Sequence, residues 1–120
     1  MDDLALLADA NAFKALGDPI RLRIMQFLLD QGGVCCATPG QVCACDIIAL
    51  LGLSQPAVSH HMRLLTAAGL VTAAKAGRWM HYSADPARFA ALASRLQAVA
   101  DAARPPAACR LTHPTESRHA

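Results

Sequence analysis

The stretch SQPAVSHHMRLLTAAGL, from Ser54 to Leu70, constrains the chain more than any other. Wound at about 3.6 residues per turn, it separates into two faces of different chemistry. Val58, Met62 and Leu65 fall on one side, an apolar stripe that the rest of the chain must cover. Gln55, Ser59 and Arg63 line the other, with His60 on the adjoining edge. Such side chains reach base edges and phosphates, and a positive face without carboxylates suits a polyanion. Ser54 is a natural N-cap, Pro56 stands in the first turn where its missing N–H costs nothing, and Gly69 ends the helix. The pattern predicts a helix that enters a DNA groove.

A chain of 120 residues has room for one domain with a modest core, not for a large enzyme cleft with its own lid. The formal net charge is only +2, so charge supports nucleic-acid binding through its placement rather than its total. No apolar run approaches the ~20 residues of a membrane span, and Met1-Asp-Asp lacks the basic start of a secretory signal. A cytoplasmic protein is expected. In that reducing compartment the five cysteines, Cys35, Cys36, Cys43, Cys45 and Cys109, are expected as thiols for metal or redox chemistry rather than as structural disulfides. Their odd number points the same way.

In chain order, Asp3 to Leu16 reads as a first helix, with Leu4, Leu7, Ala8 and Phe13 able to cover a neighbour. Asp18-Pro19 supplies a cap and a proline at the first helical position of a second helix, whose core stripe is Ile20, Ile24, Phe27 and Leu28. Arg21 and Arg23 lie off that stripe and are expected in a solvated face or in internal ion pairs rather than on DNA. Gln31-Gly32-Gly33 ends this helix, and Pro39-Gly40 marks a turn, which places Cys35 and Cys36 in a connection. Cys43 and Cys45 lie where the next helix begins; it runs through Ile47, Ile48, Leu50 and Leu51 to Gly52. A helix, a short glycine turn and a polar-faced second helix make a helix-turn-helix.

After Leu70 the period changes. Val71 to Ala73 and Trp79 to Ser83 are strand-like runs around Lys75-Ala76-Gly77-Arg78, a small β-hairpin with a basic tip. Lys75 and Arg78 are expected against phosphates or in a minor groove, Trp79 and Tyr82 in packing, and His81 at the surface or satisfied. Asp85-Pro86 starts a last helix in which Phe89, Leu92, Leu96 and Val99 recur as an apolar seam. The helix-turn-helix already has a core, so this seam is expected to join the first helix in a homodimer, setting two recognition helices one helical turn apart on the DNA. The expected fold is therefore mainly α with a small β-hairpin, a winged helix-turn-helix over residues 1–103, followed by a flexible Pro-rich tail at 104–120.

With these elements placed, LGDPIRLRIMQFLL, VCACDI, LGLSQPAVSHHMRLLTAAGLV and KAGRWMHY, spanning Phe13 to Tyr82, together resemble the ArsR/SmtB family of winged-helix metalloregulatory repressors. The resemblance implies a homodimer that represses an operon when free and leaves double-stranded operator DNA when its inducer binds. It places Ser54, Gln55, Ser59 and His60 at the base-reading positions and Lys75 and Arg78 on the wing, beside Arg63 from the helical pattern. His61 matches a histidine common in the family, but it falls on the apolar flank of the helix and is expected to pack.

Cys43-Ala-Cys45 resembles the element from which arsenite, antimonite, cadmium and lead sensors of that family draw thiolates. The physical case stands beside the resemblance, since soft thiolates select soft ions and a helix N-terminus favours the thiolate anion. Residues two apart on a regular helix point about 200° apart, so both sulfurs are expected to grip one ion only if the helix start bends or unwinds. As(III) and Sb(III) take three sulfurs, yet Ile48 stands where some family members carry a third cysteine. Cys35 or Cys36 is the nearest supply and Cys109 the next, and with four thiols close together Cd(II), Pb(II) or Zn(II) is a further option. A zinc site on the last helix is not expected, because no histidine lies between Pro86 and Ala103 and Asp101 stands without an obvious partner. The competing reading keeps the DNA-binding half and makes a cysteine pair a redox or sulfide sensor. An enzyme with a cysteine nucleophile would need a histidine base in a pocket, which the pattern does not offer.

Overall fold

The local signals act where they stand in the sequence. In the computed structural model, which describes residues 3–30 and 41–105, the order is α1 (Asp3–Leu16), α2 (Pro19–Asp30), β1 (Val42–Cys43), α3 (Ala44–Leu51), α4 (Gln55–Ala67), β2 (Val71–Ala76), β3 (Trp79–Ala84) and α5 (Pro86–Ala103). The expected placement of Cys35, Cys36, Cys109 and nearly all of the tail lies outside the described residues. Asp18 caps α2, its carboxylate accepting from the N–H groups of Ile20 at 3.0 Å and Arg21 at 3.1 Å. Asp85 does the same for α5, accepting from Ala87 at 3.0 Å. Gly52 ends α3 with φ +67° and donates its N–H to the Ile48 carbonyl at 2.9 Å, so the turn to α4 takes only a few residues.

The end of α4 is a Schellman motif. Gly69 (φ +77°) donates to Thr66 and Leu70 donates to Leu65, both at 3.0 Å, while Leu65 and Leu70 are themselves fully buried. The chain leaves the helix there directly into β2.

The described residues fall into two compact units, divided after Phe89. In the first, Ile24 and Leu28 of α2, Ile47 of α3 and Val58, Met62 and Leu65 of α4 form the core with Val42, Leu70, Val71 and Tyr82. The expected α4 stripe is thus the buried one. On α1 the outcome differs. Its buried positions are Asp9, Ala12 and Ala15, whereas Leu4 and Leu7 are 77% and 59% exposed. Alanines let the helix approach closely, while Leu4 and Leu7 stay largely exposed among the described residues. In the second unit Leu92 is buried but Leu96 and Val99 are exposed, and Asp101 accepts from the Gln97 amide at 2.9 Å. Among the described residues no helix is long and apolar enough to cross a membrane.

The hairpin is longer than the sequence suggests. Strand pairing runs to Ala76↔Trp79, leaving a two-residue turn in which Gly77 takes φ +67° and Arg78 does not take a positive φ, as a type II′ turn requires. Lys75 therefore sits in β2, opposite Met80. A third strand, β1, pairs antiparallel with β3 and gives the sheet order β1-β3-β2. Two residues are too few to show a period of two, which is why Val42–Cys43 escapes sequence reading.

Two polar contacts tie the helices together. Arg88 reaches Asp9 at 2.9 Å, both side chains largely buried, with the Arg88 stem 3.6 Å from where a Cβ on Gly69 would lie. The second contact is made by Arg21, whose Nε donates to the Ala15 carbonyl at 2.6 Å and whose Nη1 lies 3.1 Å from His61 Nδ1. A guanidinium has no acceptor, so Nδ1 accepts and His61 is neutral here. Desolvation by burial pushes the His61 pKa below its ordinary value, Asp18 raises it in opposition, and Arg21 and His60 lower it further. His61 is half-buried against Arg21, and Arg21 is held within the fold by a carbonyl and an imidazole, neither the ion pair nor the solvated face expected of it.

Both contacts generate expectations. Asp9→Ala should cost about 3–5 kcal/mol by leaving Arg88 buried without its partner, whereas Asp9→Leu with Arg88→Met should recover most of it; thermal unfolding of the two variants checks this. For His61, the unfolded chain takes up a proton near its ordinary pKa of 6.5 and the folded chain resists it. Stability is therefore full above that value and falls as pH drops through and below it. His61→Gln keeps an acceptor for Arg21 but not the titration, so its unfolding free energy should depend less on pH in that window, as urea titrations would show.

Candidate nucleic-acid interface and thiol pair

Because Val58, Met62 and Leu65 are buried, the opposite side of α4 is turned to solvent. Gln55, Ser59, His60 and Arg63 are all exposed there, in the arrangement the helical pattern predicts. Ser54 is committed differently. Its Oγ accepts from the Ala57 N–H at 3.3 Å, which fixes the helix start and leaves its O–H to donate outward. On the wing, Lys75 and Arg78 are exposed, while Tyr82 is buried and its pKa is raised by that burial. The wing is stiffened by a cross-strand contact of the Thr72 and Ser83 hydroxyls at 2.9 Å. Arg23 is exposed, as expected for a solvated face, and Trp79 and His81 are half-buried.

The cysteine geometry corrects one expectation. Cys43 is not inside the helix. It ends β1 in an extended conformation (φ −72°, ψ 144°) and caps α3, its sulfur accepting from the Cys45 N–H at 3.3 Å, while Cys45 belongs to the first turn. The two sulfurs therefore converge without any bend or unwinding of the helix, the Cα atoms being 5.2 Å apart. A second expectation also changes, because the structure joins the two cysteines as a disulfide rather than holding them as free thiols. The reason is the same convergence at the cap.

The pair occupies a junction. Through Cys43 it belongs to β1, whose residues pair with Tyr82 and His81 of the wing strand, and through Cys45 to α3, which packs against α4. Reduced, the pair offers two soft donors at a helix N-terminus, where thiolates are favoured. Among the described residues no group of three or more His, Cys, Asp and Glu surrounds a point that could hold a metal ion. The two sulfurs fit part of a trigonal thiolate set; the other candidate donors, Cys35, Cys36 and Cys109, lie outside the described residues.

Known proteins share this architecture and this sequence. Residues 18–73 match the sequence pattern of the bacterial regulatory protein arsR family. An uncharacterized HTH-type transcriptional regulator of Methanocaldococcus jannaschii is 42% identical over 73 residues, 61% of this chain and 73% of that protein. The arsenical resistance operon repressor of Escherichia coli K12 is 35% identical over 83 residues, 69% of this chain and 64% of its own length. A crystal structure described as a possible transcriptional regulator for arsenical resistance superimposes with a TM-score of 0.62 at 30% identity, covering 74% of this chain and 83% of that one. Proteins of this kind are DNA-binding transcriptional regulators and not enzymes. The matched stretch holds α2, the whole helix-turn-helix and the start of β2, and on these grounds the chain belongs to the arsR family of bacterial regulatory proteins.

Proposed function

We propose that this repressor reads its operator with Gln55, Ser59, His60 and Arg63 of α4, steadied by Ser54, Lys75 and Arg78, and releases it when a soft ion is bound by thiolates at the β1–α3 junction. As(III) or Sb(III) is the preferred inducer, with Cd(II) or Pb(II) next. The observation that supports this most is the meeting of the Cys43 and Cys45 sulfurs where the wing sheet and the helix-turn-helix join. The name of the E. coli relative, an arsenical resistance operon repressor, agrees with it. Ions of this class are polarisable and bind sulfur over nitrogen or oxygen. The third sulfur is assigned to Cys35 or Cys36, with Cys109 as the alternative. A ligated Cys43 and Cys45 would fix the cap of α3, and because α3 packs on α4 a change there alters how α4 presents its polar face.

The active species is proposed as a homodimer. Leu4 and Leu7 of α1, and Leu96 and Val99 of α5, are large apolar side chains that a single chain leaves in water, and a second copy would cover them.

The disulfide favours a second reading, in which the input is oxidation. Two thiols would then give up two electrons and two protons to an oxidant, forming the Cys43–Cys45 bond. The two readings oppose each other chemically, since an oxidised pair has no thiolate left for an ion.

Operator release by the reduced protein, followed by fluorescence anisotropy, separates them. Arsenite at about one per subunit should release DNA, zinc should have little effect, and diamide-oxidised protein should no longer respond to arsenite. Release on oxidation alone would replace the ion by a redox input. Cys43→Ser and Cys45→Ser should each bind operator normally and fail to respond, and a retained response in both would remove the pair from the site. Gln55→Ala and Ser59→Ala should each weaken operator binding by about ten- to a hundredfold, the ~1–3 kcal/mol of a lost base contact, with arsenite affinity intact. Parallel loss of both properties would mean that the fold had been damaged.

A further inference from the structure

The exposed ridge of α4 is bordered by a cleft on each side. On the wing flank Ser59, Arg63 and Thr66 face Met80 and Tyr82 across a groove of about 460 Å³. On the opposite flank Leu64, Ala67 and Ala68 form the floor of a second cleft, about 330 Å³, whose walls are Asn11 and Lys14 of α1 and Arg21 of α2. Helical geometry makes these two flanks of one ridge. Leu64 follows His60, and Ala67 follows Arg63, by one turn, so the second cleft continues the polar face towards α1.

A recognition helix lying in a major groove about 12 Å wide has a phosphate backbone on both sides. The wing cations Lys75 and Arg78 account for one. We propose that the α1–α4 cleft receives a backbone phosphate of the other strand, with Lys14, Asn11 and Arg21 as its donors; this rests on the reading of α4 as the base-contacting helix. The electrostatics are one-signed. Two cations and an amide line the cleft and no carboxylate does: of the acids nearest in sequence, Asp9 is paired with Arg88 and Asp18 caps α2. Arg21 is set in place before any ligand arrives, because its Nε and Nη1 are held by the Ala15 carbonyl and His61, and its remaining N–H groups are left for an acceptor. Lys14 and Asn11 are exposed, and among the described residues their side chains have no partner. Lys14 also stands in the last turn of α1, so its ammonium is at the helix end that favours a cation. The walls are shallow and open to one side, which suits a phosphodiester running past.

The test uses the full chain and salt-dependent operator binding. Lys14→Gln should weaken operator and unrelated duplex DNA alike and reduce the slope of log affinity against log salt by about 0.9 for each subunit bound, one phosphate contact's worth. Its thermal unfolding should be unchanged, and Arg104→Gln, an exposed cation elsewhere, should leave the slope alone. Operators carrying a neutral methylphosphonate at single positions add a readout that a structural role would not move. One position should weaken the wild-type protein but cost Lys14→Gln nothing further. An unchanged slope for Lys14→Gln, beside a reduced slope for Arg63→Gln, would overturn the cleft assignment and leave the α4 reading standing. Unchanged slopes for both would remove the α4 reading itself.

Discussion

The interface depends on three side chains being taken out of water. Val58, Met62 and Leu65 are each at most 1% exposed, and burying such a side chain stabilises a fold by about 1.5–3 kcal/mol. Rotating α4 by a third of a turn would expose all three, so its orientation is fixed by the core rather than by anything on its polar side. Gln55, Ser59, His60 and Arg63 are consequently free to serve a ligand, because none of them is needed to hold the helix. The two ends are fixed separately, by the Ser54 cap and by the hydrogen bonds around Gly69. A helix so constrained presents its polar side as a rigid array, which is what discrimination between base pairs requires.

Polar contacts do for α1 what apolar area does for α4. A helix that buries Ala12 and Ala15 has little hydrophobic surface to set its position, and its placement is specified by Asp9 through Arg88 and by the Ala15 carbonyl through Arg21. The two arginines have distinct duties. Arg88 neutralises a buried carboxylate, while Arg21 joins three helices at once by touching α1 and α4 from α2. Arg21 still has N–H groups to spare beside the α1–α4 cleft, and a side chain that organises the fold can therefore also meet a ligand.

Most of the architecture could be read from the residues. Periodicity located the helices and named the buried face of α4, and the caps at Asp18, Ser54 and Asp85 marked their starts. The exposed polar residues of α4 followed from the same wheel. What escaped depended on partners far away in sequence. A two-residue strand has no pattern of its own and exists because β3 is there to pair with it. The Asp9–Arg88 pair spans most of the first unit, and neither residue is conspicuous locally. Arg21 and Arg23 look alike in the sequence, yet one is anchored and the other is solvated, a distinction set by packing. The cysteine geometry was misjudged for a local reason. Treating both residues as helical puts their sulfurs apart, whereas an extended cap residue followed by a helical one brings them together.

The brevity of β1 sets an energy scale. Two paired residues contribute only a few ladder hydrogen bonds, each worth about 1 kcal/mol net, beside the ~1.5–3 kcal/mol of keeping Val42 out of water. A longer strand would lock the thiols to the sheet and demand far more from any ligand. With this one, a ligand at the sulfurs, as proposed above, would have only a short ladder and one buried valine to work against, while Val58, Met62 and Leu65 would keep α4 in place.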